Sequence, residues 1–223
     1  MRKILIASGD SWTNPKFKSD FHEELDCSWP KWPSLLSNKL NMECINLGRS
    51  GAGNEYIYTS LVDEIIKHDP NKIGYVMAGW SRAIRRDFSI NHNYSNLRMD
   101  THGDMYYHVK KSLNYFYSLQ QLCNNLNIKL IQFCAINLFA GNFPDDDFKH
   151  YSNTSDDDVL KYFINTDYYK KIDDKLFFGW PISKKLGGYN MSDIVKSNVI
   201  SKLDRHPNKH GQVIIAEKIY ENL

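Results

Sequence analysis

Short apolar runs that alternate with helical runs constrain this chain more than any other feature. Ile4-Leu5-Ile6-Ala7 is short, apolar and β-branched, as a buried strand is, and Gly9 breaks it. Ser34 to Leu40 then reads as an amphipathic helix with proline near its start. Met42 to Leu47 is a second strand. A helix from about Asn54 to His68 follows, with Ile57, Leu61 and Ile65 at i, i+4 spacing and Val62 and Ile66 beside them. Asp69-Pro70 stops that helix, and Ile73 to Ala78 is the third strand. Met105 to Leu126 reads as a long helix striped by Val109, Leu113, Phe116, Leu119 and Leu122, and Asn127 to Cys134 as the fourth strand. Strands separated by helices pair in parallel through right-handed crossovers, and both faces of such a sheet are covered.

The expected result is an α/β fold: a three-layer α/β/α, flavodoxin-like, doubly wound parallel sheet. At 223 residues the chain suits one domain, 1–223, with room for a substantial core. The pattern weakens between about 137 and 202, where short helices and a lid or side wall over the sheet are expected. A last helix runs from Pro207 or Asn208 to Asn222, with Val213, Ala216, Ile219 and Tyr220 toward the sheet.

An open α/β sheet keeps its ligands in the crevice above the carboxyl ends of its strands. The first strand runs directly into Ser8-Gly9-Asp10-Ser11-Trp12-Thr13, so Ser11 stands at that crevice as a candidate nucleophile. The other reading is a strand-to-loop turn that uses Gly and Asp for backbone reasons. Serine needs a base, and Leu203-Asp204-Arg205-His206-Pro207-Asn208 supplies a histidine and a carboxylate.

Taken together these blocks resemble those of the SGNH, or GDSL, hydrolase superfamily. Ser11 matches the nucleophile, Gly51 in Asn46-Leu47-Gly48-Arg49-Ser50-Gly51 matches the second block, and Asp204 with His206-Pro207 matches the last. Two departures stand out. Only Arg205 separates the Asp from the His, where the family has two residues, and Gly79-Trp80-Ser81-Arg82 lacks the asparagine of the third block.

The resemblance implies a serine esterase: Ser11 attacks an ester carbonyl, His206 moves the proton, and Asp204 orients the imidazole, with Asp193 as the substitute if the short spacing fails. It also implies an oxyanion hole from the backbone N–H groups of Ser11 and Gly51, with Ser81 or Asn54 in place of the missing side-chain amide. Trp12, Trp80 and Arg82 are the candidate substrate contacts. The substrate expected is a small-molecule or glycan ester, such as an O-acetylated carbohydrate. A catalytically weak module that binds glycans and an acyltransferase using the same serine are the alternatives. No cofactor and no metal are implied.

Other features have two readings each. Arg82, Arg85 and Arg86 either grip an anionic substrate group or belong to a solvated loop paired with Asp87. Asp145-Asp146-Asp147 and Asp156-Asp157-Asp158 are solvated runs rather than a calcium loop, since no closing Glu is present at ligand spacing. Neither His102 and His108 with Asp100 and Asp104, nor His206 with His210, matches a defined metal site. Tyr168, Tyr169, Phe177, Phe178 and Trp180 either line a pocket or form the lid's own core. Trp29 and Trp32, beside prolines, seat a helix. Cys27, Cys44, Cys123 and Cys134 lack metal-type pairing and read as free, mostly buried thiols.

Net charge is +2, with 28 basic and 26 acidic residues, which gives no reason to expect nucleic acid or an anionic membrane as partner. The apolar run after Arg2 and Lys3 is too short for a signal peptide, and no run is long enough to span a bilayer. A soluble, cytoplasmic protein is expected, with association with a phage or other particle as the alternative.

Overall fold

A computed structural model describes residues 2–91, 93–97, 99–100, 102–140 and 156–223. Five parallel strands form the central sheet: β1 (Ile4–Gly9), β2 (Glu43–Asn46), β3 (Ile73–Trp80), β6 (Leu130–Cys134) and β7 (Phe177–Phe178), in the order β2-β1-β3-β6-β7. The helices are α1 (Trp32–Lys39), α2 (Asn54–Ile65), α3 (Met105–Asn125), α4 (Asp156–Asn165), α5 (Asp167–Lys171), α6 (Met191–Val195) and α7 (Lys209–Tyr220). This is the three-layer, doubly wound arrangement that the alternating pattern calls for.

The pleat decides which side chain enters which layer. Ile4 and Ile6 of β1, with Val76, Ala78 and Trp80 of β3, pack toward Ile57, Leu61, Val109, Leu113 and Phe116 of α2 and α3. Leu5, Ala7, Tyr75 and Met77 point the other way, onto Trp32 and Leu36 of α1 and Ile215, Ala216 and Ile219 of α7. Each fully buried Leu or Ile contributes about 1.5–3 kcal/mol, so β1, buried on both faces along its whole length, is the keel of the molecule.

Several boundaries differ from the expected ones for identifiable reasons. Gly9 does not end β1: it pairs in register with Gly79, and a Cβ there would stand 2.2 Å from the Thr13 hydroxyl, so glycine is what lets the chain double back at this point. In α7 the buried face is Gly211, Gln212, Ile215, Ala216 and Ile219, while Tyr220 is exposed and Val213 half-buried; the helix is rotated from the stripe expected. Trp180, Phe163, Tyr169 and Phe177 form a ring cluster that is continuous with the α2/α3 core through Phe116, 5.3 Å from Phe177, so these aromatics extend the main core rather than making one of their own.

Two elements were not expected. The polar stretch after Trp80 holds an antiparallel hairpin, β4 (Arg86–Ile90) and β5 (Asn93–Leu97), with Asn91 in the left-handed region (φ 51°) at its turn. The hairpin is tied down by Asp87, whose carboxylate accepts from the N–H groups of Gly53 and Tyr56 at the start of α2, each at 2.8 Å, and from the Tyr94 hydroxyl. Strand β7 is only two residues long and pairs with Gln132 and Phe133 at the sheet edge. Asp145, Asp146 and Asp147 lie outside the described residues.

Candidate active site

The site is built where β1, β3 and the loop before α7 meet above the sheet. Past Gly9 the chain folds into a tight turn in which Thr13 and Asn14 N–H both donate to the Asp10 carbonyl, at 2.9 and 3.0 Å. The Asp10 side chain is fully buried and fixes the turn: Oδ1 accepts from the Trp12 N–H at 3.0 Å, and Oδ2 accepts from the Ser81 hydroxyl at 3.1 Å and Arg85 Nη1 at 3.0 Å. Arg85 Nη1 also donates to the Ala52 carbonyl and to Ser81 Oγ. A buried carboxylate is stable only when paired and hydrogen-bonded in this way. The consequence is that Ser11, 8% exposed, is held at the cleft floor on a rigid turn.

The other half of the site comes from the loop that precedes α7. Asn208 caps that helix by accepting from the Gly211 N–H at 2.9 Å, and Val199 bridges to Pro207. Within the loop, Ile200 N–H donates to the His206 carbonyl and Ser201 N–H to the Asp204 carbonyl. His206 is thereby aimed at the end of β1, with its ring 4.4 Å from that of Phe17. Ser11 Oγ lies 2.7 Å from His206 Nε2, and His206 Nδ1 lies 2.5 Å from Asp204 Oδ1.

The short Asp-to-His spacing is absorbed by an aspartate turn. Asp204 Oδ1 accepts from the His206 backbone N–H at 3.0 Å as well as from the ring. The opposite oxygen accepts from the hydroxyl of Ser19, which is itself held by the N–H groups of Phe21 and His22. Burial pushes the Asp204 carboxyl up, but the Ser19 hydrogen bond, followed by those from the His206 backbone and ring, outweighs it, and the net shift is downward. Asp204 therefore faces the imidazole as a carboxylate. Asp193 is engaged elsewhere, because its carboxylate accepts from the Asn190 N–H at 3.1 Å in a capping box on α6 and pairs with Lys184 at 2.6 Å.

Among the oxyanion candidates, neither the Ser11 nor the Gly51 backbone N–H has an acceptor among the described residues; Ser11 lines the cleft and Gly51 does not. Gly51 has φ 79°, a conformation that favours glycine; the Asn96 side-chain amide, 2.7 Å from where a Cβ would stand, can swing aside. Ser81 and Asn54 correct the expectation of a third donor. The Ser81 hydroxyl is turned to Asp10 and Arg85, while the Asn54 amide donates to the Ser81 carbonyl and Ser112 Oγ and accepts from the Ser81 N–H. Both side chains are buried: Ser81 is spent on the Asp10–Arg85 pair, and Asn54 on tying α2 to the end of β3 and to α3.

Of the expected substrate contacts, Trp12 and Arg82 line the cleft and Trp80 does not. Trp80 is wholly buried in the opposite layer, its ring 4.6 Å from Phe116 and its N–H donating to Gln132 at 3.0 Å. Arg85 is at the cleft; Arg86 lies outside it and faces Asp100 at 3.7 Å. The cleft volume is about 1090 Å³, large enough for a sugar-sized ligand. His210 is exposed on α7, and no cluster of metal-ligating side chains occurs among the described residues. No described helix is long and apolar enough to cross a membrane.

Ser19 and Phe17 complete the site without a motif to announce them, whereas Arg85 belongs to the arginine run that the sequence singles out. Ser19 and Phe17 sit in the polar and aromatic stretch Asn14 to Cys27, which has no period to mark their roles.

The fold has solved counterparts. A putative lipolytic protein of the G-D-S-L family from Desulfitobacterium hafniense superposes with a TM-score of 0.53 at 11% identity, covering 100% of each chain. The psychrotrophic esterase EstA from Pseudoalteromonas sp. gives 0.54 at 16% identity, over 99% of this chain and 96% of that one. The fold is that of the SGNH/GDSL hydrolases. Axe2, an acetylxylan esterase from Geobacillus stearothermophilus, gives 0.50 at 14% identity, over 99% and 93%. No protein-family model matches the sequence, and no curated protein does. At these identities the likeness concerns the SGNH fold, and chemistry has to be argued from the site itself.

Proposed function

We propose that the protein is a serine ester hydrolase that removes an acyl group, most simply an O-acetyl group from a carbohydrate. The observation that carries this reading is the continuous chain Ser11 Oγ, His206 Nε2, His206 Nδ1, Asp204 Oδ1, at 2.7 and 2.5 Å, opening on a cleft. Asp204 as a carboxylate fixes the neutral imidazole with its proton on Nδ1, leaving Nε2 to accept from Ser11. In the reaction, Ser11 Oγ bonds to the ester carbonyl carbon as its proton passes to Nε2. The carbonyl oxygen becomes an oxyanion held by the N–H groups of Ser11 and Gly51. The C–O bond to the alcohol breaks, and Nε2–H protonates the leaving oxygen. Water repeats the sequence on the acyl-enzyme and frees Ser11.

A hole of two donors rather than three predicts a modest catalyst. Losing one donor costs about 2.7–4 kcal/mol, roughly a hundred- to thousand-fold in kcat. The carbohydrate part of the proposal draws support from the cleft size and from the acetylxylan activity named for a neighbour of like fold. Turnover of 4-nitrophenyl acetate by wild type and Ser11→Ala tests the hydrolase reading. Release of 4-nitrophenol that depends on Ser11 supports it, and equal rates for the two proteins refute it.

A further inference from the structure

The cleft around Ser11 is electrostatically lopsided. Five cationic side chains line it: Arg82 and Arg85 from the segment after β3, Lys196 from the end of α6, and Lys202 and Arg205 from the loop before α7. Against them, among the described residues, stand two carboxylates, Asp10 and Asp204, so the described lining carries three net positive charges with histidine neutral. The entire chain carries only +2 on the same count. The described lining is thus far more positive for its size than the nearly balanced chain, with its 28 basic and 26 acidic residues.

The two carboxylates are also turned inward. Asp10 is fully buried and bonded to Trp12, Ser81 and Arg85, and Asp204 is bonded to His206 and Ser19, so neither presents a free oxygen to a ligand. Lys196, Lys202 and Arg205, by contrast, are exposed. A concave surface of one sign, walled by low-dielectric protein, focuses its field and raises the local concentration of ligands of the opposite sign. A cleft built for a neutral ester has no need of this arrangement.

We propose that the substrate of this cleft is an anionic ester, one that carries a carboxylate, sulfate or phosphate near the scissile acyl group. The proposal rests on the hydrolase reading for its chemistry but not for its binding. Arg85 is already engaged by Asp10, so the exposed Lys196, Lys202 and Arg205 are the groups that receive the substrate charge. Such charges act on capture more than on the chemical step, so they are specificity residues, and their removal should appear in KM rather than kcat.

The test separates binding from turnover. Binding of 4-acetoxybenzoate, 4-acetoxybenzenesulfonate and methyl 4-acetoxybenzoate is measured by calorimetry on Ser11→Ala, where the esters persist, at low and high ionic strength. The expected result is tighter binding of either anion than of the neutral ester, by roughly tenfold at low salt. Added salt should shrink that preference, and so should Lys196→Ala with Lys202→Ala in the same background. The carboxylate and sulfonate arms show whether one oxyanion is selected, and preference for either supports the proposal. Equal affinities for all three esters, or a preference that salt and the double variant leave intact, overturn it. Wild-type turnover of the same esters is read in parallel. Absent turnover with a persisting anion preference removes the hydrolase reading and keeps the anion site, whereas Ser11-dependent turnover without preference does the reverse.

Discussion

Replacing Ser19 by alanine should damage the protein in a way that depends on pH. Ser19 is 4% exposed and donates to the outer oxygen of Asp204, itself 1% exposed, so no side chain or bulk water stands ready to take over. A hydrogen bond to a charged group contributes about 1.5–3 kcal/mol, and the loss falls on the ionised form of Asp204. The wild-type carboxyl is held below its ordinary value, so it adds stability that is present above the unfolded value of about 3.9. That stability is lost as the pH falls through the lower folded value. Ser19→Ala moves the folded value upward, so its stability deficit should be about 1.5–3 kcal/mol at neutral pH and should shrink in acid, where Asp204 is protonated in both proteins. If the whole loss also fell on the transition state, kcat would drop roughly ten- to hundred-fold. Urea unfolding at neutral and acid pH, with 4-nitrophenyl acetate kinetics and Ser19→Thr as the conservative rescue, measures both effects. A deficit that is the same at both pH values, with kcat unchanged, would refute the argument that Ser19 acts through Asp204.

Other substitutions probe the remaining parts of the account. Asp204→Asn should lower kcat by roughly 10⁴ with little change in KM, because the imidazole loses its tautomer; steady-state kinetics would show an unchanged kcat if Asp204 had no such role. Trp80→Ala should lower stability by about 3–5 kcal/mol as a core cavity, read by denaturant unfolding, and a defect confined to KM would return Trp80 to the cleft. Asp87→Ala removes the acceptor for the first turn of α2 and should cost about 0.5–2 kcal/mol, visible as a lower unfolding midpoint. Burial pushes the Cys123 thiol up to about 12 and Cys134 higher still, so neither should react with a disulfide reagent before unfolding; more than two fast thiols in the native protein would contradict that.

The sheet was legible because β1 and β3 are apolar runs long enough to stand out, β6 is one but for Gln132, and helices separate the strands. Ser11 and His206 could be brought together from opposite ends of the sequence because an open parallel sheet gathers its crevice residues at one edge. The hairpin escaped because β4 and β5 are short and half-exposed, and β7 because two residues carry no period. Trp80 is a different case. The alternation that puts Val76 and Ala78 into the α2/α3 layer carries Trp80 there too, so its burial follows from counting along β3. Ser19, Lys196 and Lys202 had no such signal, since their roles arise from loops whose paths no local pattern specifies. The missing asparagine of the third block was plain in the sequence, but that Ser81 and Asn54 do not replace it follows only from where their hydrogen bonds go.

The central claim is that Ser11 is an activated nucleophile, and covalent trapping measures that directly. Folded protein is treated with a fluorophosphonate and the adduct located by peptide mass spectrometry. The account predicts one adduct, on Ser11, that forms far more slowly in His206→Ala and is lost when the protein is unfolded before treatment. A folded protein that stays unlabelled, or that labels at Ser11 equally fast with and without His206, would contradict it.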